Sequence, residues 1–423
     1  MKADAVVITG AGCTLPGSPT VDAFWQRLLG GDSAITAYRN PRISSRRMRC
    51  FGHVSSELSA ASREATPFKL RRYASACSQW GLRAMREAIS SAGLDLAQVP
   101  EERRGLFTAQ GDYLHPSLPS FEEGVAAVLR RGQVPDAAAL AREFFEARGA
   151  EPFFAIKSLA NNLLAVASLA LRLRGDCGAF VQDESAPWAA LRSAALSLRD
   201  GDADIALVAC AGSYDEALTL AELQAQGRLS ECDDGARSLR PFDVRRDGGI
   251  PGEGAIALVL ETAAHAAQRG ARPLAVVAGI GSGVADDDHV QARCLRHALQ
   301  QAALPAEVLD AVVADGRGER EADAQEARRI RALPAHCTAL PITAPTPITG
   351  SVPGCPLGLL AAIVMLQHQL VPPIAHLEAP EDPSLPWVLG TPRQRPLRHL
   401  LVLESGWLGS HSAVVLSRPG EPG

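Results

Sequence analysis

The sequence predicts an α/β protein made of two copies of one unit, and three observations carry that expectation. An apolar, β-branched run near the start, Val6-Val7-Ile8-Thr9, closes in Gly10 and Gly12. A second such run, residues 274–280, closes in Gly279 and Gly281, as if the chain restarts there. Downstream of each, an apolar run meets a short polar turn and a helix start: Val181-Gln182-Asp183-Glu184-Ser185-Ala186 in the first case, Ala311-Val312-Val313-Ala314 ending at Asp315-Gly316 in the second. The repetition is one of element order rather than of residue identity. It divides the chain into an N-terminal unit with insertions, residues 1–262, and a C-terminal unit, residues 263–423.

Each element has its own signal. Residues 6–12 read as a strand; the other reading of its glycines is a dinucleotide-binding fingerprint, but Leu15 stands where G-x-G-x-x-G needs its third glycine and Pro16 follows. The helix at 21–29 carries Phe24, Trp25, Leu28 and Leu29 on one face. Residues 39–49 are polar and arginine-rich, either a solvated loop or a patch for an acidic partner. Periodicity predicts a helix over 73–92 with Gly93 as its C-cap. A strand ends the stretch 102–109, a Pro- and Ser-containing loop spans 111–121, and 125–149 is helical or loop material broken by Pro135. A helix is expected over 156–173 with Asn161 and Asn162 inside it. After the polar turn comes an Ala- and Leu-rich helix to Arg199, then Gly201-Asp202-Ala203-Asp204 and a strand at 205–210. Residues 238–261 form a loop dense in charge and glycine, ordered by its own ion pairs and by glycines at positive φ, before a strand at 256–260. Helices follow at 263–268, 290–301, near Ala322 and at 357–366, with strands at 274–280, 311–314, 400–403 and 413–416.

Composition narrows the function. The 423 residues hold 42 Lys+Arg against 47 Asp+Glu, so no basic excess favours nucleic acid. Apolar content of 47% suits a large packed core, and the mean hydropathy of +0.02 is ordinary for a cytoplasmic protein. No signal peptide or membrane span is expected. The nine cysteines are scattered and lack C-x-x-C spacing, which points to reduced structural thiols and no zinc site; His115, His289 and His336 have no partner spacing for a metal either. Cys177 and Cys210 flank the polar turn but are read as structural, as is His411 in the C-terminal loop.

The blocks resemble the β-ketoacyl synthases, the condensing enzymes of fatty acid and polyketide synthesis, nearly end to end. The opening, residues 6–16 with Phe24-Trp25-Gln26-Arg27-Leu28-Leu29-Gly30-Gly31-Asp32-Ser33-Ala34-Ile35, is similar to the family's. So are Gly201-Asp202-Ala203-Asp204, Asp323 and Glu326. Most specific is Arg240-Pro241-Phe242-Asp243, Arg246-Asp247-Gly248 and Gly252-Glu253-Gly254-Ala255, continuing to Leu260-Glu261. The resemblance implies the thiolase fold, two duplicated α/β halves layered α-β-α-β-α, and a dimer.

The catalytic positions depart from the family. In a strand–turn–helix the turn residue is where a nucleophile usually sits, and counting back from Gly201 puts Glu184 at the cysteine position. Counting back from Asp323 puts Asp315 at the first histidine. Thr349-Gly350-Ser351 is similar to the end of the K-S-x-T-G-H segment, with Thr346 at the lysine and Ser351 at the second histidine. Counted from Ser405, Leu408 stands where a gating phenylalanine usually sits and Trp407 replaces a glycine. The pattern resembles the chain length factors, or ketosynthase β subunits, which commonly carry glutamine at the cysteine position and Ala-Asp-Gly near the histidine; this chain has Glu184 and Ala314-Asp315-Gly316.

That resemblance implies a subunit without condensing activity or cofactor. It pairs as a heterodimer with an active β-ketoacyl-ACP synthase, which takes chains from a phosphopantetheine-bearing acyl carrier protein, in aromatic polyketide, aryl polyene or related fatty-acid-like synthesis. Trp407, Leu408 and, in the loop over 111–121, Asp112 and Leu114 are the candidates for shaping or gating an acyl tunnel. Two other accounts stay open: a divergent acyl-thioester enzyme using Glu184, and a homodimeric scaffold or carrier-protein-binding module.

Overall fold

The structure, a computed structural model, describes residues 2–38, 48–110, 119–146, 153–285, 287, 289–406 and 408–420. Ten strands pair into one mixed sheet. They are β1 (Val6–Thr14), β2 (Arg104–Gln110), β3 (Cys177–Val181), β4 (Ile205–Ser213), β5 (Glu253–Thr262), β6 (Ala275–Val284), β7 (Ala311–Val313), β8 (Ile342–Thr343), β9 (His399–Ser405) and β10 (Ser410–Ser417). Their order is β3-β2-β4-β5-β1-β6-β10-β9-β7-β8. Counted outward from the middle, each half runs first, fifth, fourth, second, third. The directions repeat too. β1–β5 and β5–β4 are antiparallel and β4–β2 and β2–β3 parallel; β6–β10 and β10–β9 are antiparallel and β9–β7 and β7–β8 parallel. The halves join through β1 and β6, at Val7↔Val276 and Ile8↔Ala275. The duplication expected from element order is therefore present in the pairing.

The packing helices are α1 (Val21–Gly30), α2 (Ala76–Ser91), α3 (Asn162–Leu171), α4 (Ala186–Asp200), α5 (Val290–Ala302), α6 (Arg320–Arg331) and α7 (Leu357–His368). Strand period two sorts the core into layers. On β5, Ile256, Leu258 and Leu260 face a central core with α4 and α7, while Ala255, Ala257 and Val259 face an outer core with α2 and α3. On β10, Val414 and Leu416 face the central core, while Ala413 and Val415 face the opposite outer core with α5 and α6. The result is the α-β-α-β-α layering. Helix α7 is almost wholly apolar, with nine of its twelve residues buried, as a helix packed between the two halves of the sheet must be.

The glycine pairs of the first strands have a packing cause. A Cβ at Gly10 or Gly12 would sit 2.1 Å or 2.2 Å from the α2 carbonyls of Ala88 and Ala84. At Gly279 and Gly281 it would sit 2.0 Å or 1.8 Å from the α5 carbonyls of Ala298 and Cys294. These glycines bring a helix backbone onto a strand in both halves and are not a nucleotide cradle.

Two helices differ from expectation. The one expected over 73–92 starts at Ala76, because the Ser75 side chain accepts from Ser78 N and caps it there. The one expected over 156–173 is two pieces, Phe154–Lys157 and α3. Asn162 ends the gap: its Oδ1 accepts from Ser75 N (3.0 Å) and Ser78 Oγ (2.6 Å), and its Nδ2 donates to the Tyr73 and Ile156 carbonyls. Among the described residues no helix is long and apolar enough to cross a membrane.

Candidate functional site

The polar turn between β3 and α4 is held by Asp183, the neighbour of the residue picked out from sequence. Asp183 Oδ1 accepts from Ser185 N (3.0 Å), at the α4 N-terminus, and its carboxylate accepts from Ser410 Oγ (2.7 Å) and Leu408 N (3.3 Å). Burial alone would raise this carboxyl, but the hydrogen bonds from Ser410 and Ser185 outweigh it and hold it below its ordinary value. Gly406 is required beside it: a Cβ there would lie 1.9 Å from Asp183 Oδ2. The turn is thus tied to the β9–β10 connection of the other half.

Glu184 comes next in the turn and lines a small internal cavity. The Tyr214 hydroxyl donates to Glu184 Oε1 (3.0 Å), and Arg317 Nη2 lies 3.8 Å from Oε2. Burial raises the Glu184 carboxyl, an effect that Arg317 and Arg228 partly offset. Arg317 Nε also donates to Asp315 Oδ2 (2.8 Å), so one guanidinium serves two carboxylates.

Asp315 begins a loop pinned from behind by α6. Glu326 accepts from Asp315 N (2.8 Å) and Gly316 N (3.0 Å); Asp323 Oδ1 accepts from Arg317 N (3.0 Å) and Gly318 N (3.1 Å). Gly316 and Gly318 sit at φ 62° and 78°, which lets successive N–H groups turn inward. Asp323 Oδ2 accepts in addition from Phe242 N (2.8 Å), joining this loop to the Arg240–Gly254 block. Within that block Asp243 accepts from Glu378 N and Ala379 N, each at 2.9 Å, and Arg246 donates to the Arg320 carbonyl (2.8 Å). The charged block is a structural buckle rather than a reactive surface.

The four positions Glu184, Asp315, Thr346 and Ser351 all line this one cavity, although 167 positions (351 − 184) separate the first from the last. Thr346 Oγ1 donates to the Asp315 carbonyl (2.5 Å). Glu404, near the end of β9, completes the polar wall; burial first, then Asp315 and Glu184, push its carboxyl well up. The one thiol on the wall, Cys355, donates to the Cys210 carbonyl (3.4 Å), and burial holds it well above the ordinary thiol range. The cavity measures about 30 Å³, room for about one or two waters.

Outside it lies an open recess of about 480 Å³, and Asp315 and Arg317 line both spaces. Leu408 is on the lip of this recess, 61% exposed. Trp407, Asp112 and Leu114 lie outside the described residues. His411 is in β10 rather than in a loop; its Nδ1 pairs with Ser405 Oγ (2.9 Å), and burial with Arg329 nearby lowers the imidazole to about 4, so it is neutral at pH 7. Cys177 is exposed on β3 and Cys210 is buried in β4, both away from the turn.

Two domain descriptions match the chain: β-ketoacyl synthase N-terminal domain over residues 3–266 and C-terminal domain over 276–378. The chain belongs to the β-ketoacyl synthase family. Among relatives in the β-ketoacyl synthase family, the tetracenomycin polyketide synthase ketoacyl synthase beta subunit of Streptomyces glaucescens is 29% identical, covering 98% of both chains. The alpha subunit of the same synthase is 28% identical, covering 98% of this chain and 97% of its own. A solved ishigamide ketosynthase/chain length factor superposes with a TM-score of 0.82 at 23% identity, covering 98% of this chain and 99% of that one. Overall identity therefore does not separate an alpha-like from a beta-like member; the side chains around the cavity do. The roles of Tyr214, Arg317, Glu404 and Asp183 went unread in the sequence because each also meets groups distant in the chain: Glu184 for Tyr214 and Arg317, the cavity's other carboxyls for Glu404, Ser410 for Asp183. Only Arg317, between two glycines in Gly316-Arg317-Gly318, carried a local signal.

Proposed function

We propose that this β-ketoacyl synthase family member is a non-catalytic partner of the chain-length-factor, or ketosynthase β, type, paired with an active ketosynthase in a type II polyketide synthase. The observation that carries this is the wall of the cavity. Condensation needs a thiolate to hold the acyl chain and imidazoles to assist decarboxylation and stabilise the enolate. Here three carboxylates and a guanidinium stand instead, and an anion at 315 opposes a developing enolate. A space of about 30 Å³ also has no room for an acyl chain. Glu184 acting alone as base or nucleophile is the weaker account, since Tyr214 and Arg317 already engage its carboxylate.

The partner's docking edge is β3, the end strand of the sheet. Val181 on it, 37% exposed, leaves apolar surface open at this edge. Acyl carrier protein delivers chains to the partner's cysteine, and this subunit bounds the growing chain, with Leu408, Trp407, Asp112 and Leu114 as wall candidates. The nine free thiols suit the cytoplasm.

The test is co-expression with the ketosynthase encoded nearest to it, followed by size-exclusion chromatography and an elongation assay with and without this chain. A heterodimer whose products shorten or vanish without this chain is expected. A stable homodimer that ignores the ketosynthase, or thioester turnover by the purified chain alone that Glu184→Gln abolishes, overturns the assignment.

A further inference from the structure

We propose that His53, Glu253 and Asp215 form a binding site for one divalent first-row transition-metal ion, independent of the cavity described above. The three come from separate elements: His53 follows the short strand Cys50–Phe51, Asp215 follows β4, and Glu253 opens β5. One donor atom of each lies within 4.8 Å of the other two. His53 Nδ1 is 3.8 Å from Glu253 Oε1, too long for a hydrogen bond. It is the span expected of two donors on one ion, with bonds of about 2.0–2.2 Å each.

The imidazole is oriented yet uncommitted. Its ring stacks on Tyr38 (5.8 Å, 10°) and leans on Phe51 (4.5 Å), while its Nε2 is buried without a hydrogen-bond partner among the described residues. Glu253 is 8% exposed, and among the described residues its only ion-pair contact is His53. Some buried carboxylates hold a guanidinium, Glu261 with Arg269, Asp243 with Arg245 and Asp323 with Arg246; Glu253, like Asp183, Glu216 and Glu326, is held by N–H or O–H donors instead among the described residues. A cation between Glu253 and the imidazole would add a charge partner to a carboxylate that otherwise has only hydrogen-bond donors.

Outer-shell donors to the two carboxylates are also in place. Val54 N donates to Glu253 Oε1 (3.0 Å) and Ser213 Oγ to Oε2 (2.9 Å), while the Tyr38 hydroxyl donates to Asp215 Oδ1 (2.8 Å). One nitrogen and two carboxylates suit zinc, manganese or iron(II), with water in the remaining positions. The ion would clamp the Cys50–Phe51 strand to the ends of β4 and β5. It would thereby stiffen Tyr214, whose hydroxyl holds Glu184.

The test uses the full chain, stripped with a chelator and then titrated separately with zinc chloride and manganese chloride by calorimetry, with bound metal counted after dialysis. About one ion per chain is expected. His53→Ala and Asp215→Asn should each weaken binding by at least about tenfold. Cys177→Ser, at an exposed thiol, should leave it unchanged. Failure of the wild-type chain to retain either metal overturns the proposal, as does retention that Asp215→Asn leaves unchanged or that Cys177→Ser abolishes. Should His53→Ala not fold, Asp215→Asn and the metal count after dialysis decide.

Discussion

Around the cavity, Arg317 is the side chain on which the charges depend, with Asp315 at 2.8 Å and Glu184 at 3.8 Å. Removing it leaves both carboxylates near Glu404 without their nearest cation. Arg317→Met is expected to destabilise the chain by about 3–5 kcal/mol. Pairing it with Glu184→Gln should recover part of that loss, measured by denaturant unfolding; equal losses would show that the two do not interact. Glu404 and Glu184 hold their protons more tightly folded than unfolded, through burial first. Their contribution is complete below about pH 4.3, the ordinary carboxyl value, and is lost as pH rises toward the folded values. Thermal melts between about pH 5 and pH 8 should therefore fall with rising pH, and Glu404→Gln should flatten part of the slope. Glu184→Cys alone should yield no condensation product from acyl and malonyl carrier proteins, because Asp315, Thr346 and Ser351 remain. Product formation by that variant would remove the case for a non-catalytic subunit. The cavity positions were legible from the sequence because fixed spacing ties them to Gly201, Asp323 and Gly350. Their actual partners were not legible, since Tyr214 and Arg317 meet Glu184 across two elements and 133 positions (317 − 184).

At the scale of elements, strands and buried helices declared themselves by periodicity, while helix ends followed side-chain bonds, some local, like the Ser75 cap on Ser78 N, and some reaching across the fold. Asn162 is the clearest case: set in an apolar run it reads as mid-helix, yet its amide is spent on the start of α2. The glycines of β1 and β6 were visible but their cause was not, because only packing shows which helix backbone lies above them. Gly281→Ala would press a Cβ to 1.8 Å from the Cys294 carbonyl, whereas at Gly283 the nearest atom is 3.6 Å away. The first substitution should cost about 1–3 kcal/mol or more and the second little, read as shifts in the unfolding midpoint. Equal midpoints for the two would mean that α5 can slide off its strand.

For the whole molecule, the duplication foreseen from element order is an exact repeat of strand order and direction. The loop over 111–121, in which Asp112 and Leu114 were picked out, falls mostly outside the described residues. If β3 is the docking edge, Val181→Asp should separate the complex with the ketosynthase into single chains on size exclusion while leaving the isolated chain's melting temperature nearly unchanged, Val181 being 37% exposed. A heterodimer that survives the substitution would move the interface elsewhere.

The two ends of the sheet are not alike. Among the described residues no strand pairs with the outer side of β3, whose residues alternate between exposed and half-buried. At the far end β8 is buried and already engaged: Ile342 N donates to the Pro386 carbonyl and accepts, through its own carbonyl, from Val388 N. With β3 as the proposed docking edge, the sheet has a valence of one. A chain with two open edges could add copies without limit, but this one can take a single neighbour through its sheet, after which growth stops. Any ketosynthase with one matching edge becomes a terminator as well as a partner, so the pair is a closed object whatever the concentration of its members.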